Sequence, residues 1–210
     1  MLSIVSLTLG PVMTNTYILA DDKSGEAVVI DPADEGKRIA SEIEKRGWQL
    51  VSIWLTHAHF DHIAGSAELA DNSSPMPAIA LHADDNQLWE IQGGAAFFGM
   101  KIDPGPEPTI ELKHGQVLNV GEYQFQVLHA PGHTPGHVMF YNQHESILIC
   151  GDVIFQGSIG RTDLPGGDYD TLMRSIKTEV MNLPDDTVVL TGHGPQSKVG
   201  VERQFNLFIN

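Results

Sequence analysis

The chain has 210 residues, of which 41% are hydrophobic and 19% charged, and its formal net charge is −15 at pH 7. This length supports one domain with its own core. The acidic charge argues against a nucleic-acid binder and against docking on an anionic membrane surface. We therefore expect a single domain over residues 1–210 with a small-molecule partner, no nucleic acid and no membrane, as a monomer or small homo-oligomer.

Cysteine content and the N-terminal pattern favour a cytoplasmic protein. Cys150 is the one cysteine, so no internal disulfide can form. The first residues alternate like a strand and lack the basic stretch of a signal peptide. Cys150 itself lies in an apolar strand, which favours a core residue over a nucleophile.

The first half of the chain predicts strands interleaved with helices. Periodicity and turn residues predict strands at residues 2–9, 15–21, 26–31, 50–55 and 78–81. Helices are expected at residues 34–46, 63–69 and 82–92. Residues 93–108 are rich in Gly and Pro and are expected to form a long loop over one face, either functional or a decorative insertion.

The second half is denser in strands. They are expected at residues 116–120, 123–129, 137–142, 146–150 and 187–190, with helices at 169–182 and from about Val201. Each half runs through strands into a helix. This order predicts an α+β fold of two mixed sheets packed face to face, with helices outside, as a four-layer αββα sandwich.

Residues 56–62 form the densest group of metal-ligand side chains. His57, His59, Asp61 and His62 follow directly on the predicted strand 50–55. Neutral imidazole and carboxylate are ligands for zinc and similar divalent ions. The alternative, a histidine-rich polar turn, leaves four such side chains without a role.

Three more donors follow the ends of apolar strands. They are His133, Asp152 and His193, each beside glycine, which lets the backbone turn sharply. If the strands lie side by side, all the donors meet at one edge. Seven ligands exceed one tetrahedral zinc and suit two metals about 3.5–4 Å apart.

The spacing suggests how the seven donors divide. His57 and His59 are two residues apart and reach one ion together with His133. The adjacent pair Asp61 and His62 points elsewhere and serves a second ion. The full assignment places His57, His59 and His133 on the first metal, Asp61, His62 and His193 on the second, and Asp152 between them.

In combination and in order, these segments resemble the metallo-β-lactamase superfamily. The segments are Thr-His-x-His-x-Asp-His at 56–62, Pro-Gly-His-Thr-x-Gly-His at 131–137, Gly-Asp at 151–152 and Gly-His-Gly at 192–194. The resemblance implies the αββα sandwich and two divalent metal ions, zinc with iron or manganese as alternatives. His/Asp ligands without cysteine accept all three.

Within the superfamily the chain is most similar to glyoxalase II-like hydrolases, which cleave S-acylglutathione thioesters such as S-lactoylglutathione. Residues 157–163 resemble that family's Gly-x-x-Gly-basic loop, which implies that Arg161 contacts glutathione. Two features depart from the family. Gly194 and Pro195 replace Glu-Tyr after the last histidine, and 17 residues follow His193, so we expect a short form without the family's C-terminal helical domain.

The expected reaction is thioester hydrolysis in the cytoplasm by a hydroxide that bridges the two metal ions, with Asp61 as the catalytic residue that acts through this hydroxide. A hydroxide on divalent ions is a nucleophile at neutral pH because metal binding lowers the pKa of water to about 7. Alternatives are a mono-iron persulfide dioxygenase, another metallohydrolase such as a lactonase or β-lactamase, and a metal-binding module without turnover.

Several other polar residues have two interpretations each. Asp31 either hydrogen-bonds a ligand imidazole or caps the turn before Pro32. His137 either supports a ligand or fills the core. Thr56 and Thr134 either orient ligands or cap the backbone. The remaining histidines have no motif around them and are expected to be surface or core groups: His82, His114, His129 and His144.

Overall fold

A computed structural model describes residues 1–209 and contains two six-stranded sheets. The first sheet has the spatial order β1 (Leu2–Leu9), β2 (Thr14–Asp21), β3 (Glu26–Ile30), β4 (Gln49–Trp54), β5 (Ala78–His82) and β6 (Ile110–Leu112). Strands β1 to β3 pair antiparallel, and β3 to β6 pair parallel. Parallel pairing places the C-terminal ends of β3, β4 and β5 at one edge of this sheet.

The second sheet is mixed as well. Its spatial order is β7 (Val117–Val120), β8 (Tyr123–His129), β9 (Val138–Asn142), β10 (Ile147–Gly151), β13 (Val188–Thr191) and β14 (Ser197–Lys198). Only β10 and β13 pair parallel, so both end at the same edge. A two-stranded hairpin of β11 (Ile154–Phe155) and β12 (Ser158–Ile159) follows β10.

Short helices fill the connections. They are α1 (Gly36–Lys45), α2 (Phe60–Ile63), α3 (Ser66–Asp71), α4 (Asn86–Glu90), α5 (Tyr169–Ser175) and α6 (Val199–Phe205). A 3-10 turn, Ala83–Asp85, precedes α4, a 3-10 segment, Gln92–Phe98, follows it, and α5 continues into one π-helical turn, Ile176–Val180. Among residues 1–209 none of these helices has the length and apolar character needed to cross a bilayer.

Three apolar clusters separate four layers. Ile39 and Ile43 of α1 pack on the outer face of the first sheet. Between the sheets, Trp54 contacts the buried rings of Phe125 and Phe140 at centroid distances of 5.8 and 5.3 Å. Leu172 of α5 packs with the outer face of the second sheet. The predicted four-layer αββα sandwich of two mixed sheets is confirmed.

Most predicted elements are confirmed, and the differences are local. Strands β6, β11, β12 and β14 were not predicted because two or three residues are too short to show a period of two. The helix expected over 63–69 is two helices, broken at Gly65. The backbone of Gly65 lies against the carbonyls of Pro32 and Asp34, where a Cβ would clash at 2.8–2.9 Å.

The buried carboxylate of Asp85 joins loops from the two sheets. Its Oδ2 accepts hydrogen bonds from Ala58 N at 3.0 Å and Thr134 Oγ1 at 2.8 Å, and its Oδ1 accepts one from Gly136 N at 2.7 Å. Ala58 follows β4 of the first sheet, and the other two partners lie between β8 and β9 of the second. Burial raises the pKa of Asp85 despite these hydrogen bonds.

We predict that Asp85→Ala destabilises the protein by about 3–5 kcal/mol, because three buried donors lose their acceptor at once. The measurement is urea unfolding of the metal-free protein. Asp84→Ala is the matched control: its side chain is 59% exposed, and we expect a change within about 0.5 kcal/mol. Equal stability of the two variants would show that Asp85 does not hold the loops together.

Candidate metal centre

Each predicted metal donor lies just beyond a strand end or at the start of the helix that follows. His57 and His59 follow β4, and Asp61 and His62 lie in α2. The donors of the second sheet follow β8, β10 and β13; they are His133, Asp152 and His193. The sheet edges meet there, since Val138 N donates to Thr56 O at 2.8 Å and Asn15 N donates to Gly192 O at 2.7 Å. The structure therefore brings all seven residues to one place.

His57, His59 and His133 form a first donor group. One nitrogen from each ring lies within 4.8 Å of the other two. His59 Nδ1 and His133 Nε2 are only 2.8 Å apart. Two ring nitrogens this close must share a proton or a cation, and all three side chains are buried.

Asp61, His62 and His193 form a second donor group, again within 4.8 Å. Asp61 Oδ2 lies 3.2 Å from His193 Nε2 and 3.7 Å from His62 Nε2. The same carboxylate oxygen accepts a hydrogen bond from Thr14 Oγ1 at 3.0 Å. Thr14 was not predicted as a site residue, because β2 lies far from the motif in sequence.

Asp152 lies between the two groups. Its Oδ2 is 3.6 Å from His133 Nε2 and 3.4 Å from His193 Nε2, and its Oδ1 is 3.4 Å from His62 Nε2. One carboxylate thus faces donors of both groups, as a bridging ligand requires. Gly192 leaves the room it needs, since a Cβ there would overlap Asp152 Oδ1.

Hydrogen bonds fix which nitrogen of the buried rings carries the proton. His133 Nδ1 donates to the carbonyl of Arg161 at 2.8 Å, and His62 Nδ1 donates to Asp31 Oδ2 at 2.9 Å. Thr56 Oγ1 gives its own proton to Asp31, so it accepts from His57 Nδ1 at 3.0 Å. Nε2 of each ring is then the atom that faces the centre.

Three of the buried atoms facing the centre have no hydrogen-bond partner within residues 1–209. They are His57 Nε2, His62 Nε2 and Asp152 Oδ1. Buried polar atoms without a partner are costly and rare. Two imidazole nitrogens and a carboxylate oxygen directed into one space match the ligand set of a divalent cation, which takes the place of the proton on His62 Nε2.

Burial and neighbouring charges set the protonation of the donors. Burial lowers the pKa of His57 well below its ordinary value and that of His59 to about 3, so both rings are neutral. Burial opposes ionisation of Asp152, but His62 and His193 outweigh it and hold the pKa of Asp152 well below the ordinary value. Neutral imidazoles and ionised carboxylates are the forms that bind metal.

The second group carries the positive charge of the centre. Burial lowers the pKa of His193, but hydrogen bonds to Asp152 and Asp61 raise it to about 9. In His62 the cost of burial is likewise outweighed by Asp152, Asp61 and Asp31, and its pKa rises well above the ordinary value. These rings balance the carboxylates in the metal-free protein.

The structure decides between the two interpretations that the sequence left open for Asp31 and for His137. Asp31 hydrogen-bonds His62 and also accepts from Thr56 N at 2.7 Å. His137 Nε2 accepts from Asp152 N at 3.0 Å, and its ring stacks on His57. Both therefore position donors. Thr134 binds Asp85, a residue that no local pattern marked.

Another cluster of donors lies outside this centre: His82, Asp84 and His129. The two rings are stacked, 4.2 Å apart and 7° from parallel. A metal lies in the plane of each ligating imidazole, and parallel planes do not meet, so this arrangement does not suit one ion. His114 Nδ1 accepts from His129 N, and His144 is exposed beside Glu145.

A cavity of about 590 Å³ opens above the centre. Its floor includes donors of both groups, and its walls are mostly apolar. Among the described residues that line it, Arg161 is the one arginine or lysine. Its guanidinium is half exposed and pairs with Asp163 through Nε at 2.7 Å and Nη2 at 2.8 Å. Cys150 lies outside the cavity, and burial raises the pKa of its thiol, as expected of a core residue.

Comparison with known proteins gives relatives along the whole chain. A Haemophilus influenzae protein named hydroxyacylglutathione hydrolase GloC is 36% identical over 198 residues, covering 93% of this chain and 92% of the relative. The crystal structure of BLEG-1 B3 metallo-β-lactamase matches with a TM-score of 0.92 at 36% identity, covering 99% of this chain and all of that one. The crystal structure of TTHA1623 in a di-iron-bound form matches with a TM-score of 0.88 at 38% identity, covering 97% of this chain and 99% of that one.

The family assignment rests on fold, donor arrangement and sequence together. The model of the metallo-β-lactamase superfamily matches residues 9–193, a span that contains all seven donors. The structure shows the four-layer sandwich and two groups of His and Asp donors at the ends of its strands. The chain belongs to the metallo-β-lactamase superfamily of metallo-hydrolases.

Proposed function

We propose that this protein hydrolyses a small-molecule thioester of the S-acylglutathione type, such as S-lactoylglutathione. The observation that carries the proposal is the pair of donor groups, joined by Asp152, at the floor of a cavity with Arg161 on its wall. The likeness to the H. influenzae hydroxyacylglutathione hydrolase supports this choice of substrate.

The residues fit two divalent ions. We assign His57, His59 and His133 to one ion and Asp61, His62 and His193 to the other, with Asp152 shared. The buried atoms His57 Nε2, His62 Nε2 and Asp152 Oδ1, which have no hydrogen-bond partner among the described residues, support this assignment. Zinc is the proposed metal, and the di-iron form of TTHA1623 supports iron as an alternative. When bound, such ions supply Lewis acidity and a water whose pKa is lowered to about 7.

The side chains around the centre then have defined tasks. Asp61 is held by Thr14 and His193 and lines the cavity, so we assign to it the orientation of the attacking water. In the reaction a C–O bond forms and the C–S bond breaks; one proton of water passes to the departing thiolate. Arg161 is assigned to a carboxylate of the thiol carrier, in exchange for its contact with Asp163.

β-Lactam hydrolysis is a second candidate. It is supported by the likeness to BLEG-1, whose description names a B3 metallo-β-lactamase. The same donors serve both reactions, since each adds water to a carbonyl carbon. The leaving group distinguishes them: a thiolate in one case and a ring amine in the other.

The deciding experiment combines metal analysis with a substrate panel. We expect about two metal ions per chain and turnover of S-lactoylglutathione that exceeds turnover of nitrocefin. Metal binding without thioester hydrolysis would overturn the proposal. Oxygen uptake on glutathione persulfide would then indicate a dioxygenase, nitrocefin turnover a β-lactamase, and inactivity on all three a binding module.

His59→Ala is expected to lower metal content and thioester turnover together, the latter by about 10³-fold or more, because the first donor group loses a ligand. Metal content is measured on the purified protein and turnover by thiol release. His144→Ala is the control, since that ring is 90% exposed and remote from the centre. Full activity of His59→Ala would refute the ligand assignment.

Arg161→Ala is expected to raise KM for a glutathione thioester about tenfold with little change in kcat, because the side chain binds the carrier and not the reacting bond. The backbone carbonyl that orients His133 is retained in this variant. Arg38→Ala is matched in exposure, 54% against 52%, and in having an acidic partner. An unchanged KM would remove Arg161 from substrate binding.

A further inference from the structure

We propose that, among S-acylglutathione thioesters, the protein prefers an acyl group that is bulkier and more apolar than lactoyl, and that this group lies against one wall of the cavity. This inference rests on the proposed thioester hydrolysis and names its substrate class. The wall, here called the aromatic wall, consists of Leu88, Ile91, Phe97, Phe98 and Met100. It adjoins Phe60, which directly follows the donor His59.

The aromatic wall is held in a fixed position over the centre. The backbone of Gly93 lies so close to Phe60 N that a Cβ could not fit between them. The rings of Phe60 and Phe98 are 5.2 Å apart. Met100 N donates to the carbonyl of Ala95 at 3.0 Å, and Ala95 is fully buried. The loop expected over 93–108 thus begins as an anchored 3-10 segment and not as a decorative insertion.

Large apolar side chains on this wall are exposed to solvent. Phe97 is 68% exposed, Ile91 49% and Phe98 47%. A contiguous apolar patch at a polar centre marks a binding surface, because covering it removes apolar area from water. An acyl chain attached to a carbonyl above the donors would cover this patch.

A small hydroxyacyl group finds no polar partner on this side of the cavity. Among the described lining residues, the side chains of the aromatic wall and its neighbours Val12 and Phe60 offer neither donor nor acceptor. Apart from the donors, the polar lining side chains are Ser158 and Arg161, which belong to the segment 155–165 together with apolar lining residues: Phe155, Ile159, Leu164 and Pro165. Because the aromatic wall comes from a different segment, residues 88–100, we assign the thiol carrier to Arg161 and the acyl group to Phe97 and Phe98.

The test is a series of glutathione thioesters with acetyl, butanoyl and hexanoyl groups, and S-lactoylglutathione beside them, on the metal-loaded protein. We expect kcat/KM to rise by up to about fourfold per buried methylene, and hexanoyl to exceed lactoyl. In Phe97→Ala and Phe98→Ala the loss should grow with chain length. Phe205→Ala, 64% exposed and outside the cavity, should keep the wild-type slope.

A binding measurement separates the two proposals. Calorimetry with S-methylglutathione and S-hexylglutathione, which cannot be hydrolysed, should show tighter binding of the hexyl compound, and Phe97→Ala should reduce the difference. Equal kcat/KM across the thioesters, or preference for lactoyl, overturns the apolar acyl site and leaves thioester hydrolysis standing. Tighter hexyl binding without any thioester turnover retains the apolar site and overturns the hydrolysis. Equal affinities overturn the apolar site.

Discussion

The carboxylate of Asp31 is the contact on which the first-sheet half of the centre depends. It accepts hydrogen bonds from Thr56 N, Thr56 Oγ1 and His62 Nδ1. Because Thr56 gives its proton to Asp31, its oxygen accepts from His57. One carboxylate therefore sets the tautomer of two rings from opposite donor groups. Asp31 reaches this position because β3 and β4 run parallel and end side by side.

In the second sheet the donors are oriented in the same way, by hydrogen bonds that involve backbone groups. The carbonyl of Arg161 fixes His133, and His137 accepts the amide proton of Asp152. His57, His62, His133 and Asp152 thus each have one bond to the surrounding protein and another atom directed to the centre. Asp85 does not line the cavity; it holds the loop after β4 to the loop between β8 and β9. Preorganisation of this kind lets the cation bind without repacking the core.

The sequence sufficed for the residues whose signal is local and failed for those whose partners are distant. The motif at 56–62 and the strand ends before His133, Asp152 and His193 were enough to place every donor beside the others. The roles of Asp85 and Thr14 were not predicted, because their hydrogen-bond partners lie 27 or more residues away in sequence and no local motif surrounds either residue. Residues 93–98 belong to a 3-10 segment and not to the loop that the sequence predicts over 93–108, because two glycines hide a helical turn whose anchor is Phe60. The layers followed from the order of strands and helices along the chain, whereas two-residue strands are too short to show a periodic pattern.

Charge distinguishes the two parts of the cavity: the donors at its floor, to which we assign the reaction, and the aromatic wall, to which we assign the choice of acyl group. The chain is strongly acidic, and Asp61 and Asp152 add to that charge at the floor of the cavity. The two divalent ions that we propose would outweigh these two carboxylates, so a loaded centre would be a local cationic site in an otherwise repulsive field. Arg161 is paired with Asp163 and would add little to that attraction until the carboxylate of the proposed substrate displaced its partner. On this proposal the centre polarises the acyl carbonyl whatever the acyl group, and selection among acyl groups falls to the uncharged aromatic wall.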